Sequence, residues 1–276
     1  MMVDILLSTY NSEAFLEALL ESLYLQSYSD WKLIVRDDGS IDKTREILNQ
    51  HKEKHPNKIQ LIEADFVNLG PKRSFEKLLV KSTAEYIMFC DHDDYWLAHK
   101  IEDSLTKIQS LESKNTGKAA LVFSDLIITD DKLKPIHDSF WNYAKINPQN
   151  IHSVYKLAIN NPVVGCTVLM NKTAKALVLP LPEQAIMHDW WAALKVAENG
   201  VIDYIEKPSI LYRQHHANEI GADRAGFIYF LKRFFNFTKT LKQNKEAYQM
   251  LKALDKKYTL VKFLGYKTSV LFSKAR

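Results

Sequence analysis

The sequence contains few cysteines and few glycines. Its 276 residues include two cysteines, Cys90 and Cys166, and eight glycines. Two cysteines cannot form a disulfide framework or a cysteine-rich zinc site, so we expect both to be reduced core residues. No Gly-x-Gly pair and no Gly-x-x-x-x-Gly-Lys sequence occurs, which excludes a Rossmann dinucleotide fingerprint and a P-loop. A Gly-x-Ser-x-Gly elbow is also absent, and this disfavours a serine hydrolase.

Long hydrophobic runs are also missing. No apolar stretch reaches the roughly 20 residues that span a bilayer, and the N-terminus lacks the basic segment and long apolar run of a signal peptide. We therefore expect a cytoplasmic protein, either free or peripheral at the inner face of the membrane. With 46% hydrophobic and 25% charged residues, the chain can bury the core of one large domain with an appendage.

The net charge of +4 is unevenly distributed along the chain. Residues 227–276 hold 12 lysines and arginines against two carboxylates, whereas the preceding residues carry 25 against 31. Between residues 227 and 241, aromatic side chains alternate with basic ones, a pattern typical of helices that bind anionic membrane surfaces. A helical appendage that packs on the main domain, or on a second subunit of a homo-oligomer, explains the pattern equally well. Nucleic acid is disfavoured because the acidic remainder would repel a phosphate backbone.

Apolar runs alternate with helical periodicity through the first half of the chain. Strands are predicted at residues 3–10, 31–35, 59–62 and 86–90, with helices between them. This alternation predicts an α/β fold with a mostly parallel sheet and helices on both faces. Further strands are predicted at residues 119–128, 162–170, 201–205 and 209–212, while residues 132–161 show no clear periodicity.

Three polar loops follow the predicted strands, at residues 9–12, 37–42 and 91–94. Because open α/β sheets bind ligands at the carboxyl ends of their strands, we expect these loops to converge on one site. In the last loop, Asp91, Asp93 and Asp94 repel one another unless a cation neutralises them. Such oxygen ligands suit Mg²⁺ or Mn²⁺, which bridge carboxylates to a substrate's phosphates. The alternative for this cluster is a solvated Asp-rich turn before the next helix.

The residues of these loops resemble a known family. The chain resembles family 2 glycosyltransferases of the GT-A fold in three motifs, which occur in the same order. These motifs are Ser8-Thr9-Tyr10-Asn11, Asp37-Asp38-Gly39-Ser40-Ile41-Asp42 and Asp91-His92-Asp93-Asp94. The resemblance covers roughly residues 1–215. The rhamnosyltransferase-like branch, which builds bacterial surface polysaccharides, has segments similar to Met187-His188-Asp189-Trp190-Trp191 and Leu211-Tyr212-Arg213-Gln214-His215.

This resemblance implies a GT-A catalytic domain over residues 1–221, followed by a basic helical extension over residues 222–276. It implies an inverting, metal-dependent transferase that moves one sugar from a nucleotide diphosphate donor, dTDP-rhamnose or UDP-hexose, to a saccharide or lipid-linked saccharide. Two alternatives stay open at this point. One is a metal-dependent phosphoester hydrolase that uses the same Asp cluster, and the other is a non-catalytic nucleotide- or saccharide-binding module.

The resemblance also implies site residues. Asp93 and His215 would hold Mn²⁺ or Mg²⁺, which stabilises the departing diphosphate as a Lewis acid. Asp189 would deprotonate the acceptor hydroxyl, with its pKa raised by desolvation beside His188 and two tryptophans. One of those tryptophans, Trp190 or Trp191, would support the acceptor sugar. The residues expected to contact the nucleotide are Thr9, Tyr10, Asn11, Asp38, Lys72, Arg73, Asp91 and His92.

Each of these roles competes with a structural one. Asp38 can simply form a turn before Gly39, and Asp189 can cap the helix that it begins. Lys72 and Arg73 can be solvated surface charges, the two tryptophans can belong to the core, and His215 can be a structural histidine.

Overall fold

The computed structural model of the chain describes residues 1–62, 67–214 and 237–274, with side chains over 242–270 of the last range. Strands and helices follow one another in the order β1 (Val3–Thr9), α1 (Leu16–Tyr24), β2 (Trp31–Asp37), α2 (Thr44–Lys54), β3 (Ile59–Leu61), α3 (Gly70–Lys81), β4 (Tyr86–Asp91), β5 (Tyr95–Trp96), α4 (Lys100–Ser113), β6 (Ala120–Ser124), β7 (Ile127–Thr129), β8 (Pro135–His137), α5 (Phe140–Tyr143), α6 (Val154–Ile159), β9 (Leu169–Asn171), α7 (Lys172–Val178), α8 (His188–Asn199), β10 (Val201–Ile205), β11 (Ile210–Arg213), α9 (Phe237–Leu254) and α10 (Leu260–Lys274). Two short 3₁₀ turns, Pro148–His152 and Gly165–Thr167, lie among them.

Seven strands form the central sheet, in the order β10-β6-β9-β4-β1-β2-β3. All neighbours are parallel except β9, which runs antiparallel to both β4 and β6. The mostly parallel α/β sheet predicted from the sequence is therefore confirmed. The register pairs Thr9 of β1 with Asp37 of β2, and Ser8 with Asp91 of β4. The three polar loops leave the sheet at one edge, as predicted.

The direction of β9 brings a fourth segment to this edge. Because β9 runs against β4, the residues that precede β9 lie where β4 ends. These residues form the 3₁₀ turn Gly165–Thr167, and all three are buried. The predicted strand over residues 162–170 is thus shorter than expected, since only its last part joins the sheet.

The single strand predicted over residues 119–128 is wrong. The chain forms β6 in the central sheet and β7 in a second sheet of order β5-β11-β7-β8. Asp125, between them, breaks the run because its carboxylate accepts the backbone N–H groups of Leu126, Phe140 and Trp141. The second sheet places the end of β11 beside the loop that follows β4.

The strands bury apolar residues on both faces of the central sheet. Leu6 of β1 packs in one core with helices α3, α6 and α8, whereas Ile5 and Leu7 pack in the other with α1 and α4. This alternation follows the two-residue period of a strand. The C-terminal helices α9 and α10 join the first core through Met250 and Phe263, so the described part of the extension is helical and packs on the main body. The predicted boundary at residues 221 and 222 lies outside the described residues.

No helix within the described ranges is both long enough and apolar enough to cross a bilayer.

Candidate active site

The loop after β4 contains the predicted carboxylate cluster. Asp91 and His92 are half-buried, Asp93 is 8% exposed and Asp94 is fully buried. Burial and the charges of Asp93 and Asp91 raise the pKa of Asp94 well above its usual value. Asp94 Oδ2 is buried, and it receives no N–H or O–H donor from the part of the chain that the structure describes. A buried carboxylate crowded by two others, with one oxygen that receives no such donor, fits a bound divalent cation.

The ligand atoms that lie closest together differ from the predicted pair. Asp91, Asp94 and Cys166 place one ligand atom each within 4.8 Å of one another. Asp93 is not in this group, and its backbone carbonyl accepts the Arg213 Nε–H at 2.8 Å. Carboxylate oxygens suit Mn²⁺ or Mg²⁺ better than a thiol does, so Asp91 and Asp94 are the residues that fit the ion here. His215 lies outside the described residues.

Arg213 ends β11 and fixes the cluster from the second sheet. It is 5% exposed, and its backbone N–H donates to Asp94 Oδ1 at 3.4 Å. Its guanidinium also donates to the Asp131 carbonyl and lies over the Phe15 ring, 4.7 Å from the centroid. Sequence reasoning gave Arg213 no site role, although its position directly after a strand and two residues before His215 was a usable signal.

The loop after β2 is built differently. Asp38 is 3% exposed and pairs with the fully buried guanidinium of Arg36. Its carboxylate also accepts the backbone N–H groups of Leu69 and Gly70, both at 2.8 Å, where α3 begins. These donors occupy most of the carboxylate's acceptor positions. Asp38 therefore has a structural role, and its predicted contact with the nucleotide base stays a prediction.

Of the three residues after β1 that were predicted to contact the nucleotide, two form side-chain hydrogen bonds to the loop after β2. Thr9 is fully buried, and its Oγ1 donates to Asp37 at 3.1 Å. Asn11 joins the first and second loops, because its Oδ1 accepts the Ile41 backbone N–H at 3.0 Å. Tyr10 is 47% exposed. Asn11 is exposed as well, and the predicted nucleotide contacts of the three residues stay predictions.

Lys72 and Arg73 connect α3 to the loop before α8. Lys72 Nζ donates to the carbonyls of Glu183 and Ala185, at 3.1 and 2.8 Å. Arg73 pairs with Glu76 at 2.6 Å and with Glu183. Both cationic groups thus bond to the chain, and their predicted nucleotide contacts stay predictions.

Asp189 lies in the first turn of α8, as predicted for the general base. Its carboxylate accepts the backbone N–H of Trp190 at 2.7 Å. Burial raises the pKa of Asp189 to about 6, the direction that desolvation was predicted to give. The carboxyl is thus ionised at neutral pH and still basic enough to accept a proton.

His188 is buried in an aromatic pocket next to the base. Its ring stacks on Phe75, with centroids 3.9 Å apart, and meets Phe89 edge-on at 4.6 Å. Burial lowers the pKa of His188 to about 3, so the imidazole is neutral near pH 7. Neither ring nitrogen has a hydrogen-bond partner among the described residues.

The two tryptophans after Asp189 occupy different environments. Trp191 is 4% exposed and donates its indole N–H to the Val178 carbonyl at 3.0 Å. Its prediction as an acceptor platform is corrected, because the ring is enclosed in the core. Trp190 is half-buried and donates to the Leu157 carbonyl at 3.0 Å. Trp190 therefore stays a prediction for the acceptor side.

The 3₁₀ turn before β9 connects the two halves of the site. A Cβ at Gly165 would lie 3.3 Å from Asp189 Oδ2, and Cys166 Sγ lies within 4.8 Å of carboxylate oxygens of Asp91 and Asp94. Both cysteines are free and buried, as predicted, but no pattern in the sequence indicates that Cys166 lies beside the carboxylate cluster. That contact depends on the antiparallel course of β9.

Known proteins of similar sequence are glycosyltransferases. An uncharacterized glycosyltransferase of Nostoc sp. is 32% identical over 222 residues, which make up 79% of this chain and 66% of that protein, just under two thirds. The dTDP-rhamnosyl transferase RfbG of Shigella flexneri is 24% identical over 228 residues, 79% of this chain and 74% of RfbG. The UDP-Glc:alpha-D-GlcNAc-diphosphoundecaprenol beta-1,3-glucosyltransferase WfgD of Escherichia coli is 26% identical over 196 residues, 70% of each chain.

Two solved structures show the same fold. S. aureus TarS 1-349 in complex with UDP-GlcNAc aligns with a TM-score of 0.58 and 18% identity over 91% of this chain and 72% of its own. The mannosyltransferase PcManGT from Pyrobaculum calidifontis, in complex with GDP-Man and Mn²⁺, aligns with a TM-score of 0.55 and 17% identity over 99% and 85%. The fold is therefore GT-A. The family model for glycosyl transferase family 2 matches residues 4–165, more than half of the sequence, and the chain belongs to this family of enzymes.

Proposed function

We propose that the protein is an inverting, metal-dependent glycosyltransferase of bacterial surface polysaccharide synthesis. It transfers one sugar from dTDP-rhamnose or a UDP-hexose to a saccharide or lipid-linked saccharide acceptor. One observation carries the proposal. The turn Gly165–Thr167 lies beside the desolvated carboxylate of Asp189 and also beside the acidic pair Asp91 and Asp94, which can bind a cation. The names of RfbG and WfgD support these donor classes, and that of WfgD supports a diphosphate-linked lipid acceptor.

The reaction is a single displacement without a covalent intermediate. Asp189 accepts the proton of the acceptor hydroxyl as that oxygen attacks the donor's anomeric carbon. Asp91 and Asp94 hold Mn²⁺ or Mg²⁺, assisted by Asp93 and by His215. When bound, the ion supplies Lewis-acid stabilisation of the departing diphosphate. Tyr10 borders the nucleotide, and Trp190 borders the acceptor.

Replacing the base tests this assignment. Asp189→Asn keeps the shape and the Trp190 hydrogen bond but cannot accept a proton. We expect the transfer rate to fall by roughly 10² to 10⁴, with donor affinity unchanged in a binding titration. Asp30→Asn, at an exposed residue before β2, is the matched control.

If Asp189→Asn transfers sugar at a rate within tenfold of the parent rate, Asp189 is not the general base. If the parent protein binds donor and transfers no sugar to any acceptor, a binding module is correct. If it cleaves donor equally fast without acceptor, the phosphoester hydrolase is correct.

The nucleotide can be identified without an acceptor. A ligand that binds only the folded protein raises its melting temperature. We expect UDP or dTDP to raise it in the presence of Mn²⁺ and to raise it less without the ion. An equal response to GDP and ADP would contradict the proposed donor classes.

We also propose that the C-terminal extension docks on an anionic membrane surface at the cytoplasmic face. The aromatic segment predicted for this role, residues 227–241, lies outside the described side chains. Within α10, Leu260, Val261 and Leu264 are 47%, 82% and 48% exposed, and the exposed Lys262 lies among them. Exposed apolar side chains next to lysine match the chemistry of an anionic lipid surface.

Vesicle sedimentation tests the docking. We expect the parent protein to sediment with phosphatidylglycerol vesicles and the double variant Val261→Ser, Leu264→Ser to stay in solution. Val80→Ser, at a 63% exposed residue of α3, is the control. Equal sedimentation of the double variant would contradict docking through this face, and dimer formation lost in the same variant would assign it to a second copy.

A further inference from the structure

The turn Gly165–Thr167 is the one segment described above that contacts both the base and the carboxylate cluster. It precedes β9, and the antiparallel pairing of β9 with β4 places it at the edge where Asp91 ends β4. Thr167 closes the turn, because its backbone N–H and its Oγ1 both bond to the Val164 carbonyl, at 2.9 and 2.7 Å. Two bonds to one carbonyl make this turn a rigid connection.

Gly165 lies directly against the proposed base. A Cβ at this position would lie 3.3 Å from Asp189 Oδ2 and 3.3 Å from His188 Nε2, closer than ordinary contact. A side chain at this position would therefore require the Asp189 carboxylate or the His188 imidazole to move by a few tenths of an ångström.

Cys166 lies against the proposed metal ligands. It is fully buried, and its Sγ is within 4.8 Å of carboxylate oxygens of both Asp91 and Asp94. The thiol is thus in position to donate to Asp94, whose Oδ1 accepts the Arg213 backbone N–H at 3.4 Å. A donor at this place can orient the Asp94 carboxylate.

We propose that Gly165 and Cys166 are positioning residues that set the distance between the general base and the metal ion. This inference rests on the proposed function, because it takes Asp189 as the base and Asp94 as a ligand. Adjacent residues of one closed turn hold the two carboxylates, so a displacement at either residue is transmitted to the other carboxylate. Residues outside the active-site loops can seldom act on both groups at once.

Variants of Cys166 test the metal side without turnover. We expect Cys166→Ala to weaken Mn²⁺ binding about tenfold, measured from the EPR signal of free Mn²⁺, because an outer-sphere donor to a ligand is lost. Cys166→Ser keeps a donor and should bind Mn²⁺ within about threefold of the parent. Cys90→Ala is the matched control, since that buried thiol faces the Asp91 carbonyl at 3.7 Å instead of the Asp94 carboxylate.

Parent-like Mn²⁺ affinity in Cys166→Ala, or a loss as large in Cys166→Ser, would overturn the role of Cys166. Melting curves of all three variants show whether each is folded when the Mn²⁺ titration is made.

A variant of Gly165 tests the base side. We expect Gly165→Ala to lower kcat by at least about tenfold at an unchanged donor KM, and to move the acidic limb of the kcat pH profile away from pH 6. Gly265→Ala, where an added Cβ meets nothing within 4 Å, is the control. A general loss of stability would lower the amount of folded enzyme without moving the pH limb.

An unmoved pH profile in folded Gly165→Ala would overturn the role of Gly165. Failure of the proposed function is distinguishable from this result, because it appears as full transfer by Asp189→Asn. The Mn²⁺ affinities of the Cys166 variants are measured independently of both.

Discussion

Two aspartate-rich loops flank β1, and they look alike in the sequence but differ in what surrounds them. The loop after β2 places Asp38 against a buried arginine and two backbone N–H groups. The loop after β4 buries Asp94 beside Asp91 and Asp93, where like charges raise its pKa. The Asp38 carboxylate is paired with a cation and with two backbone N–H donors, whereas Asp94 Oδ2 receives no N–H or O–H donor from the described part of the chain. The donors around each carboxylate, more than its burial, therefore distinguish Asp38 from Asp94, the proposed metal ligand.

The donors near the two aspartates differ in their distance along the sequence. One partner of Asp38 is close in sequence, whereas those near Asp94 come from distant segments. Arg36 and Asp38 are two residues apart, so they point to the same side of an extended chain and pair directly. Gly70, with φ of +72°, turns the start of α3 so that its N–H reaches the same carboxylate. For Asp94, the nearest donors come from Cys166 and Arg213, which follow it by more than 70 residues.

The largest effect on stability should come from replacing Asp38, the carboxylate in the loop after β2 that has several donors. Asp38→Ala leaves the guanidinium of Arg36 buried without its carboxylate, and we expect a loss of about 3 to 5 kcal/mol in the free energy of unfolding. Urea unfolding followed by circular dichroism measures it, with Asp30→Ala as the exposed control. If Asp38→Ala is as stable as the parent but no longer binds nucleotide, the base contact predicted from the sequence is correct after all.

The matching substitution of Asp94, in the loop after β4, should lower the affinity for Mn²⁺ and not the stability of the fold. Asp94→Asn removes a charge that its neighbours oppose, so we expect unchanged or higher stability in the absence of metal. Mn²⁺ affinity should fall by about tenfold or more, because a ligand charge is lost. Calorimetric titration and urea unfolding of the same sample measure both quantities. A destabilised variant that binds Mn²⁺ normally would reverse the comparison between the loops.

A smaller effect concerns His188 and the dependence of the free energy of unfolding on pH. The lowered pKa of His188 means that, between pH 6.5 and about 3, the unfolded chain binds a proton that the folded chain does not. Stability is therefore lost as the pH falls through this range. His188→Phe should reduce the loss between pH 7 and pH 5 by about 2 kcal/mol, measured by urea unfolding at both values.

The opposite shift at Asp189, raised to about 6, favours the folded state as the pH falls from 6 towards 3.8. It is present in both proteins and cancels from their difference. Equal pH dependence in parent and His188→Phe would show that His188 takes up a proton in the folded state.

The sequence predicts the edge of the sheet well, because apolar runs and their alternation with helices determine where β1, β2 and β4 end. It predicts poorly which polar side chains are available there. Lys72 and Arg73 bond to the loop at Glu183, more than 100 residues away, and no local pattern shows this. Trp191 is enclosed by the same kind of remote contact, with the Val178 carbonyl.

The elements that were missed depend on tertiary structure in the same way. Asp125 interrupts the run of β6 and β7 because it caps α5, an element without recognisable periodicity. Cys166 meets Asp94 because β9 runs against its neighbours, and its short apolar run does not reveal a direction. Sequence reasoning thus identifies candidate carboxylates, and tertiary contacts decide which of them have partners.

Strand β9 has a consequence for how this enzyme tolerates insertions and deletions. Its three residues pair with β4 on one side, and two of them, Leu169 and Met170, pair with β6 on the other, so two neighbours fix its register. Removing or adding one residue here would turn every following side chain to the opposite face of the sheet and displace the turn before it. Loop lengths elsewhere on the sheet can vary without this penalty. We therefore expect the length from Gly165 to Asn171 to be among the least variable features of functional homologues.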